Sequence, residues 1–405
     1  MPLMPYDQAL EQLVQQLMPT IKTEYVPILQ AQGRVLAEAV VAQHDAPNFD
    51  NSAMDGYAIC GVDEVNWQLV DYVAAGDSTL NIHLNVGQAA RVFTGSAIPQ
   101  GTHAVIAQED VDVIENCISS RVDVQPQQHI RFQAEEFAQG SILIAAQQQL
   151  NATHIGIIAS QGLSEVLCYQ PLKVSIFSSG NELQVLGQAL LENQIYDSNR
   201  YMLLALLAQK SFLKVTDGGV LPDQLDTIQQ QLAQAAQDSD VILISGGASV
   251  GDKDFTKQAL ENLGEMQHWK LAIKPGKPFA WGSIHSDTQH SKVFILPGNP
   301  VACWVTYLVM TLPALNMMAG IDLARALPKK VLAQAQFEMS KTQSRLQFLR
   351  GNVEVDRGQL HAHIHALQNS AMLANCGMTN ALVIVPEGET VTFGQNIQIM
   401  YLNSI

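Results

Sequence analysis

Val241-Ile242-Leu243-Ile244-Ser245-Gly246-Gly247-Ala248-Ser249-Val250-Gly251-Asp252-Lys253-Asp254 carries the reading of the whole chain. A short apolar run rich in β-branched residues leads into a glycine turn with two hydroxyls, and a charged segment then opens a helix from about Phe255. That order of strand, loop and helix is how an anion site is built. Glycine lets backbone approach a ligand closely, and free amides at a helix start carry partial positive charge. Two more loops of this kind follow apolar runs, Ile273-Lys274-Pro275-Gly276-Lys277-Pro278 and Leu296-Pro297-Gly298-Asn299-Pro300. Three such loops point to one pocket.

Around these loops the pattern alternates strand and helix. Strands are predicted at Lys173 to Phe177, Val241 to Ile244, Leu271 to Ile273 and Val293 to Leu296. Helices are predicted over Asn199 to Gln209, Gln224 to Gln237, Phe255 to Leu263 and Val301 to Leu312, with Ser198 and Asp223 placed as caps for two of them. Alternation at this spacing implies a parallel sheet with helices on both faces and ligands at the carboxyl ends of the strands. The apolar stretch from Val301 to Met318, interrupted by Pro313 and Asn316, reads as a buried helix rather than a membrane span.

Upstream, Leu10, Leu13, Val14 and Leu17 recur at helical spacing within Tyr6 to Met18, and a second helix is predicted over Ala31 to Val41. Between about Asp45 and Ala145 short apolar or alternating runs (Trp67 to Val73, Ala104 to Ala107, Val111 to Ile114, Arg121 to Val124) are separated by turn residues, which reads as a β-rich unit. Thr153 to Gly162 returns to helix, so the β unit is read as an insertion into a small helical domain. Beyond Ala326 to Pro328 short strands return: Val353 to Val355, Leu360 to His365, Ala381 to Val385 and Ile397 to Leu402. The fold class is therefore α/β multidomain, with a parallel-sheet α/β central domain, an inserted β-rich domain on a small helical domain, and a small C-terminal β-domain. The expected boundaries are 1–45 with 146–170, then 46–145, 171–327 and 328–405.

Bulk composition narrows the function classes. The chain has 405 residues, 47% hydrophobic and 15% charged, enough for several cores. A formal charge of -16 argues against nucleic acid and anionic membrane as partners. Lys253, Lys257, Lys270, Lys274 and Lys277 nonetheless cluster around the glycine loop, which suits a pocket for an anionic small molecule. The five cysteines are scattered and never form a Cys-x-x-Cys pair, as in a reducing compartment. The N-terminal residues show no basic and apolar signal pattern, so a cytoplasmic location is expected.

Several residue groups could carry chemistry. Ser178-Ser179-Gly180-Asn181-Glu182-Leu183 places a carboxylate just past a strand end, Asp254 follows the glycine loop, and Asp223 opens a helix. One such carboxylate more often caps its helix. A set of them beside lysines points to a hard divalent ion with substrate phosphate. Asp55 lies in the polar segment Pro47 to Ala58, and Thr94 opens the turn Thr94-Gly95-Ser96-Ala97-Ile98-Pro99. His361, His363 and His365 could form a metal face, but no cysteine or carboxylate cluster accompanies them, and an exposed strand is the favoured reading.

Seven ordered blocks, PNFDNSAMDGYA (47–58), TGSAIPQG (94–101), SSGNEL (178–183), QIYDSN (194–199), SGGASVGDKDF (245–255), KLAIKPGKPFAWG (270–282) and LPGNP (296–300), resemble the molybdopterin molybdenumtransferase family, which includes bacterial MoeA proteins and the E domain of gephyrin. The resemblance spans nearly the whole chain and makes the central domain one of molybdopterin-binding type. It implies an enzyme that inserts molybdate into adenylylated molybdopterin and releases AMP, with magnesium as the metal. It also implies a homodimer with a cleft shared between copies, and contacts with the adenylyltransferase of the same pathway and with cofactor-accepting enzymes.

By motif match the resemblance assigns catalytic roles to Asp55, Glu182, Asp223, Asp254, Lys270 and Lys274. Thr94, Ser179, Ser245, Gly246, Gly247, Ser249, Gly251, Lys277, Pro297, Gly298, Asn299 and Pro300 would bind substrate. Glu182 and Asp254, with Asp55 from the second copy, would hold the metal. Three positions depart from the family pattern. Ser179 replaces a threonine, Glu136 stands where aspartate is usual, and Gln368-Asn369-Ser370-Ala371 lacks the glycines of a Gln-Gly-Ser-Gly turn. The competing reading is a non-catalytic scaffold or a weakened paralogue of the same fold. A single-domain adenylyltransferase sharing the sheet domain would leave the first third and the last eighty or so residues unexplained.

Overall fold

The computed structural model describes residues 3–19, 22–247, 255–285 and 290–402. The chain divides into two compact units. One comprises 1–38, 146–155 and 165–405; the other comprises 39–145 and 156–164.

The first unit is organised by a six-stranded sheet. Its elements are β1 (Leu172–Ser179), α1 (Ser198–Ala208), β2 (Leu213–Leu221), α2 (Leu225–Asp238), β3 (Val241–Ser245), α3 (Phe255–Leu263), β4 (Gly264–Lys270), β5 (Pro278–His285), β6 (His290–Leu296) and α4 (Pro300–Thr306). The strand order is β2-β1-β3-β6-β5-β4. The first four are parallel, whereas β5 pairs antiparallel with both β6 and β4. The all-parallel expectation thus fails at one edge, because a seven-residue loop between Lys270 and Pro278 is too short for the crossover that parallel neighbours need. The reversal has a consequence for the site. Parallel to β6 with β5 between them, β4 ends at the same edge where β3 and β6 end.

Alternation along each strand sends side chains to two different cores. Val174, Ile176, Val241, Leu243, Phe294 and Leu296 pack with Leu203 and Leu207 of α1 and with Val301 and Cys303 of α4. Phe177, Ile242, Ile244, Val293 and Ile295 pack with Ile228 and Leu232 of α2 and with Ala259 and Leu260 of α3. Helices therefore cover both faces.

The helical stretch from Pro300 to Met318 is 89% buried despite being long and apolar enough for a membrane span. It is α-helical to Thr306, takes a π-turn over Tyr307–Thr311, and resumes as helix over Leu312–Met318. Pro313 has no N–H to give Val309 four residues earlier, and the Tyr6 hydroxyl donates to the Val309 carbonyl instead, at 3.2 Å. The N-terminal helix, Tyr6–Gln15, is fastened there, with Ala9, Leu10 and Leu13 in the same core.

The helix expected over Ala31 to Val41 does not form. Gly33 turns at φ +79° and its N–H bonds to the Leu150 carbonyl, while Val35 and Leu36 are both buried and bridge to Gln149 and Cys168. Two adjacent buried apolar residues are better served by extended chain between two layers than by one helix face. The capping expectations also change. Asp197, one residue before Ser198, caps α1 by accepting from Arg200 N, and Gln224 rather than Asp223 stands at the start of α2 without a side-chain cap bond.

A second six-stranded sheet closes the C-terminal part of this unit. Its order is Ile273–Lys274, Leu346–Asp356, Gln359–Ile364, Val331–Ala335, Asn396–Tyr401 and Ala381–Val385, and Leu346–Asp356 pairs again with Ala381–Val385 to complete a small barrel. The stretch expected as a strand over Leu271 to Ile273 belongs here: Ile273 and Lys274 leave the central sheet to pair with Leu346 and Gln347.

The other unit carries a six-stranded sheet in the order Ala104–Ala107, Gly56–Ile59, Gln88–Val92, Asn66–Val73, Cys117–Ser120 and Val111–Ile114. The strand expected at Arg121 to Val124 lies instead at Cys117–Ser120, hairpinned to Val111–Ile114 through Glu115 at φ +54° and Asn116. Trp67 and Ile118 are fully enclosed between the strands.

Candidate functional site

At the end of β3 the chain turns at Gly246 with φ +92°, and its N–H bonds to the Leu296 carbonyl at 3.0 Å. A Cβ here would lie 2.4 Å from the Ser179 carbonyl oxygen, so only glycine lets the ends of β1, β3 and β6 close together. This junction opens into a cleft of 1560 Å³.

All three polar loops line that cleft. Ser245, Gly246 and Gly247 come from the end of β3, Lys274 to Pro278 from the β4–β5 connection, and Pro297 to Pro300 from the end of β6. Glu182, Asp223, Ser179 and Lys270 line it as well. Most of the residues expected in the site thus meet in one place. Ser249, Gly251 and Asp254 lie outside the described residues. Asp55 and Thr94 belong to the other unit and are absent from the lining.

The cationic side is built on backbone ties. Leu271 N bonds to the Lys277 carbonyl at 2.7 Å, which shapes the loop between the lysines, and Arg345 Nη1 donates to the Ile273 carbonyl at 3.0 Å. Lys274 Nζ reaches Gln343 Oε1 at 3.2 Å, and its side chain is exposed to the cleft. Ser179 keeps the hydroxyl of the replaced threonine and bonds it to Thr256 Oγ1 at 2.8 Å, tying the end of β1 to the first turn of α3.

Behind the cleft sits a buried ion pair. Asp197 Oδ2 accepts from Arg200 Nε at 2.8 Å, and Arg200 Nη1 also bonds to Asp217 Oδ1. Burial works against the charged guanidinium, but these carboxylates hold its pKa above the ordinary arginine value, so it stays ionised. Asp197 lines the cleft with its charge already paired.

Several contributors escaped the sequence reading. Asn199 of α1 donates from Nδ2 to Ser245 Oγ at 2.8 Å and to the Gly298 carbonyl at 2.7 Å, bridging two of the three loops. Its signal in the sequence was its place at the end of the block QIYDSN (194–199), where a polar run opens a largely apolar helix. Ser178, Arg345 and Gln347 also line the cleft. So does the Gln368 to Ala371 turn, which the sequence marks only as a departure. Buried Arg350 holds that turn, with Nη2 on the Leu367 carbonyl at 2.7 Å and Nη1 on the Asn369 carbonyl at 3.3 Å. Asn369 Oδ1 accepts from Ala371 N at 3.0 Å, and neither residue has a positive φ, so the turn forms without glycine.

In the other unit Asp55 is exposed, and its Oδ1 accepts from both the amide and the hydroxyl of Thr94, each at 2.8 Å. Those two bonds hold the Asp55 carboxyl below the usual carboxylate range, and Arg91 adds to the effect. A depressed carboxylate keeps its contribution above its unfolded pKa and loses it as pH falls through the folded one. Thr94→Val removes one of the two bonds, and the Asp55 midpoint should then move up toward the ordinary value in an NMR pH titration. An unmoved midpoint would refute the role given to the hydroxyl. Glu136 is exposed in the same unit, and its N–H bonds to the Ala46 carbonyl.

The three histidines do not share one face. His361 Nδ1 meets Gln336 Nε2 at 2.7 Å, His365 lies past the strand end against Thr379 Oγ1 at 3.0 Å, and among the described residues no group of three His, Cys, Asp or Glu is arranged to hold a metal.

Comparison with known proteins agrees with this architecture. Residues 4–162 match the MoeA N-terminal region (domain I and II), 175–317 the probable molybdopterin binding domain, and 333–402 the MoeA C-terminal region (domain IV). A molybdopterin molybdenumtransferase from Haemophilus influenzae is 34% identical over 398 residues, covering 95% of this chain and 97% of the relative. One from Nostoc is 32% identical over 392 residues, covering 94% and 89%. Among solved structures, a molybdopterin biosynthesis moeA protein from Pyrococcus horikoshii superposes with a TM-score of 0.83 at 28% identity, covering 99% of this chain and 100% of that one. With the glycine junction, the three six-stranded sheets and all three matched regions in family order, this chain belongs to the molybdopterin molybdenumtransferase (MoeA) family.

Proposed function

We propose that this chain is an enzyme of molybdenum cofactor biosynthesis that inserts molybdate into adenylylated molybdopterin and releases AMP. The observation that carries the reading is the convergence of the glycine junction with Lys270, Lys274 and Lys277 on one cleft, facing Glu182 and Asp223. At 1560 Å³ the cleft exceeds the roughly 300–1000 Å³ of a small-molecule pocket, as a two-part ligand requires. The Gly247 amide would hold a phosphoryl oxygen, at a turn that the Gly246 N–H pins to the Leu296 carbonyl. Lys270, Lys274 and Lys277 would offset the charge of phosphoanhydride and molybdate as it shifts to the leaving AMP. Positioning and electrostatics of this kind supply most of the catalysis of phosphoryl chemistry.

Magnesium suits this donor set. It favours one or two carboxylates with substrate phosphate completing its shell, and Glu182 and Asp223 present hard oxygen donors on the same cleft. When bound, it would neutralise phosphate charge. Asp254 and Asp55 remain further candidates as ligands.

The reading includes a homodimer, in which Asp55 and Thr94 of one copy serve the cleft of the other. It also includes transient contact with the pathway's adenylyltransferase and with cofactor-accepting enzymes, and a cytoplasmic location, consistent with five free cysteines. The test is AMP release from adenylylated molybdopterin with and without molybdate, for wild type and Lys274→Ala. Molybdate-stimulated release should fall by about 100-fold in the variant, the usual loss of a group that stabilises developing charge. Equal release from both would remove the cleft from the reaction. No release from folded wild type would favour the scaffold or weakened paralogue.

A further inference from the structure

We infer that Ser178 and Asn199 form a neutral recognition subsite on the floor of the cleft, made to hydrogen-bond an N–H or O–H group carried by the anionic ligand. The inference rests on the cleft being the ligand site proposed above.

The register of the sheet builds this subsite. Ser178 of β1 lies beside Ser245 of β3, and both point to the face covered by α1 and α4, while the adjacent Ser179 points to α3. Ser245 Oγ accepts from Asn199 Nδ2 at 2.8 Å and pairs with Cys303 Sγ at 3.8 Å. The Gly298 carbonyl can only accept, so the nitrogen of the Asn199 amide must face it, and Oδ1 becomes the free end. Both residues are more than nine-tenths buried, with Ser178 1% and Asn199 7% exposed, and both line the cleft. Among the described residues, neither Ser178 Oγ nor Asn199 Oδ1 has a hydrogen-bond partner.

Buried polar atoms without partners are rare in folded chains and call for a ligand or water. Asn199 Oδ1 can only accept. An ionised phosphoryl or molybdate oxygen offers no hydrogen and cannot satisfy it. A ring N–H, an exocyclic amine or a sugar hydroxyl can. The loops and lysines thus serve the anionic groups, and this pair serves the uncharged part of the same molecule. That part could be the pterin or the nucleoside, and the two are separable.

The experiment measures binding of three probes, molybdopterin, AMP and inorganic pyrophosphate, to wild type, Ser178→Ala and Asn199→Ala. Ser178 Oγ holds no bond to any described residue, so alanine there should leave the melting temperature unchanged. It should weaken molybdopterin or AMP by about three- to tenfold, the size of one neutral hydrogen bond, with pyrophosphate unaffected. The arm that weakens names the group recognised. Asn199→Ala also releases the Gly298 loop and should weaken all three probes. Wild-type affinity for both molybdopterin and AMP in Ser178→Ala would overturn the inference and leave the proposed function standing. An equal loss for pyrophosphate would overturn it as well, by making the hydroxyl an anion contact. A wild type that binds neither molybdopterin nor AMP would remove both readings together.

Discussion

Gly246→Ala is expected to lower kcat/KM for AMP release by about 100-fold or more, because a displacement near 1 Å at a reacting group can cost that much. The residue stands at φ +92°, where an L side chain is strained. Its added Cβ would also meet the Ser179 carbonyl oxygen at 2.4 Å. That oxygen belongs to the backbone at the end of β1 and cannot swing aside as a side chain could. Relief must come from moving the Gly246 peptide, whose N–H holds the Leu296 carbonyl of β6, and all three strand ends shift with it. Gly247→Ala is the control. Its φ of +69° is nearer the left-handed region, and the nearest described atoms to its Cβ would be those of the Thr256 side chain, from 3.1 Å. A loss of about fivefold is expected there, from roughly 1 kcal/mol of backbone strain. The check is steady-state AMP release beside thermal unfolding of each variant. Equal losses at the two glycines would show that the close approach to Ser179 does not shape the site.

Arg200→Ala should produce the largest loss of stability, about 3–5 kcal/mol, the range for removing one partner of a buried ion pair. Asp197 is 2% exposed and, among the described residues, would be left with the α1 amide as its remaining partner. Asp217 is half-exposed and would recover solvation, so most of the cost falls on Asp197. Trp269, Trp281 and Trp304 all lie in the core of this unit, so tryptophan fluorescence during urea unfolding reports the domain that holds the pair. The comparison variant is Asp112→Asn, which breaks a 3.6 Å pair with Arg121 exposed on both sides and should shift stability by less than about 1 kcal/mol. If Arg200→Ala also fell below 1 kcal/mol, the pair behind the cleft would be no more than a surface contact.

Local chemistry accounts for what was legible in advance. The apolar run before Ser245, the glycines after it, and the proline and lysine loops each carry their reason in neighbouring residues. Strands were therefore found at Val241 and Val293, and the three loops were expected to meet. The stretch from Val301 to Met318 was read as buried despite its hydropathy, and it is a core helix. Errors came where partners are distant in sequence. Ala31 to Val41 has helical composition, yet Gly33 and the bridges of Val35 and Leu36 to Gln149 and Cys168 make it extended. Asp223 looks like a cap from its position before a helix, but its side chain lines the cleft. Asn199 closes the block QIYDSN (194–199), but its role was not legible because its two acceptors, Ser245 Oγ and the Gly298 carbonyl, are 46 and 99 residues away.

The sequence by itself determined the family, the alternation of strand and helix, and the chemical types of the three loops, because glycine, proline and β-branched residues act on their own backbone. Only the tertiary structure decided which way β5 runs, which serine of the Ser178-Ser179 pair faces which helix layer, and that Asn199 joins two loops. Those choices depend on register between strands far apart in the chain. A shift of one residue would exchange Ser178 and Ser179 between the two faces of the sheet, and with them the floor of the cleft.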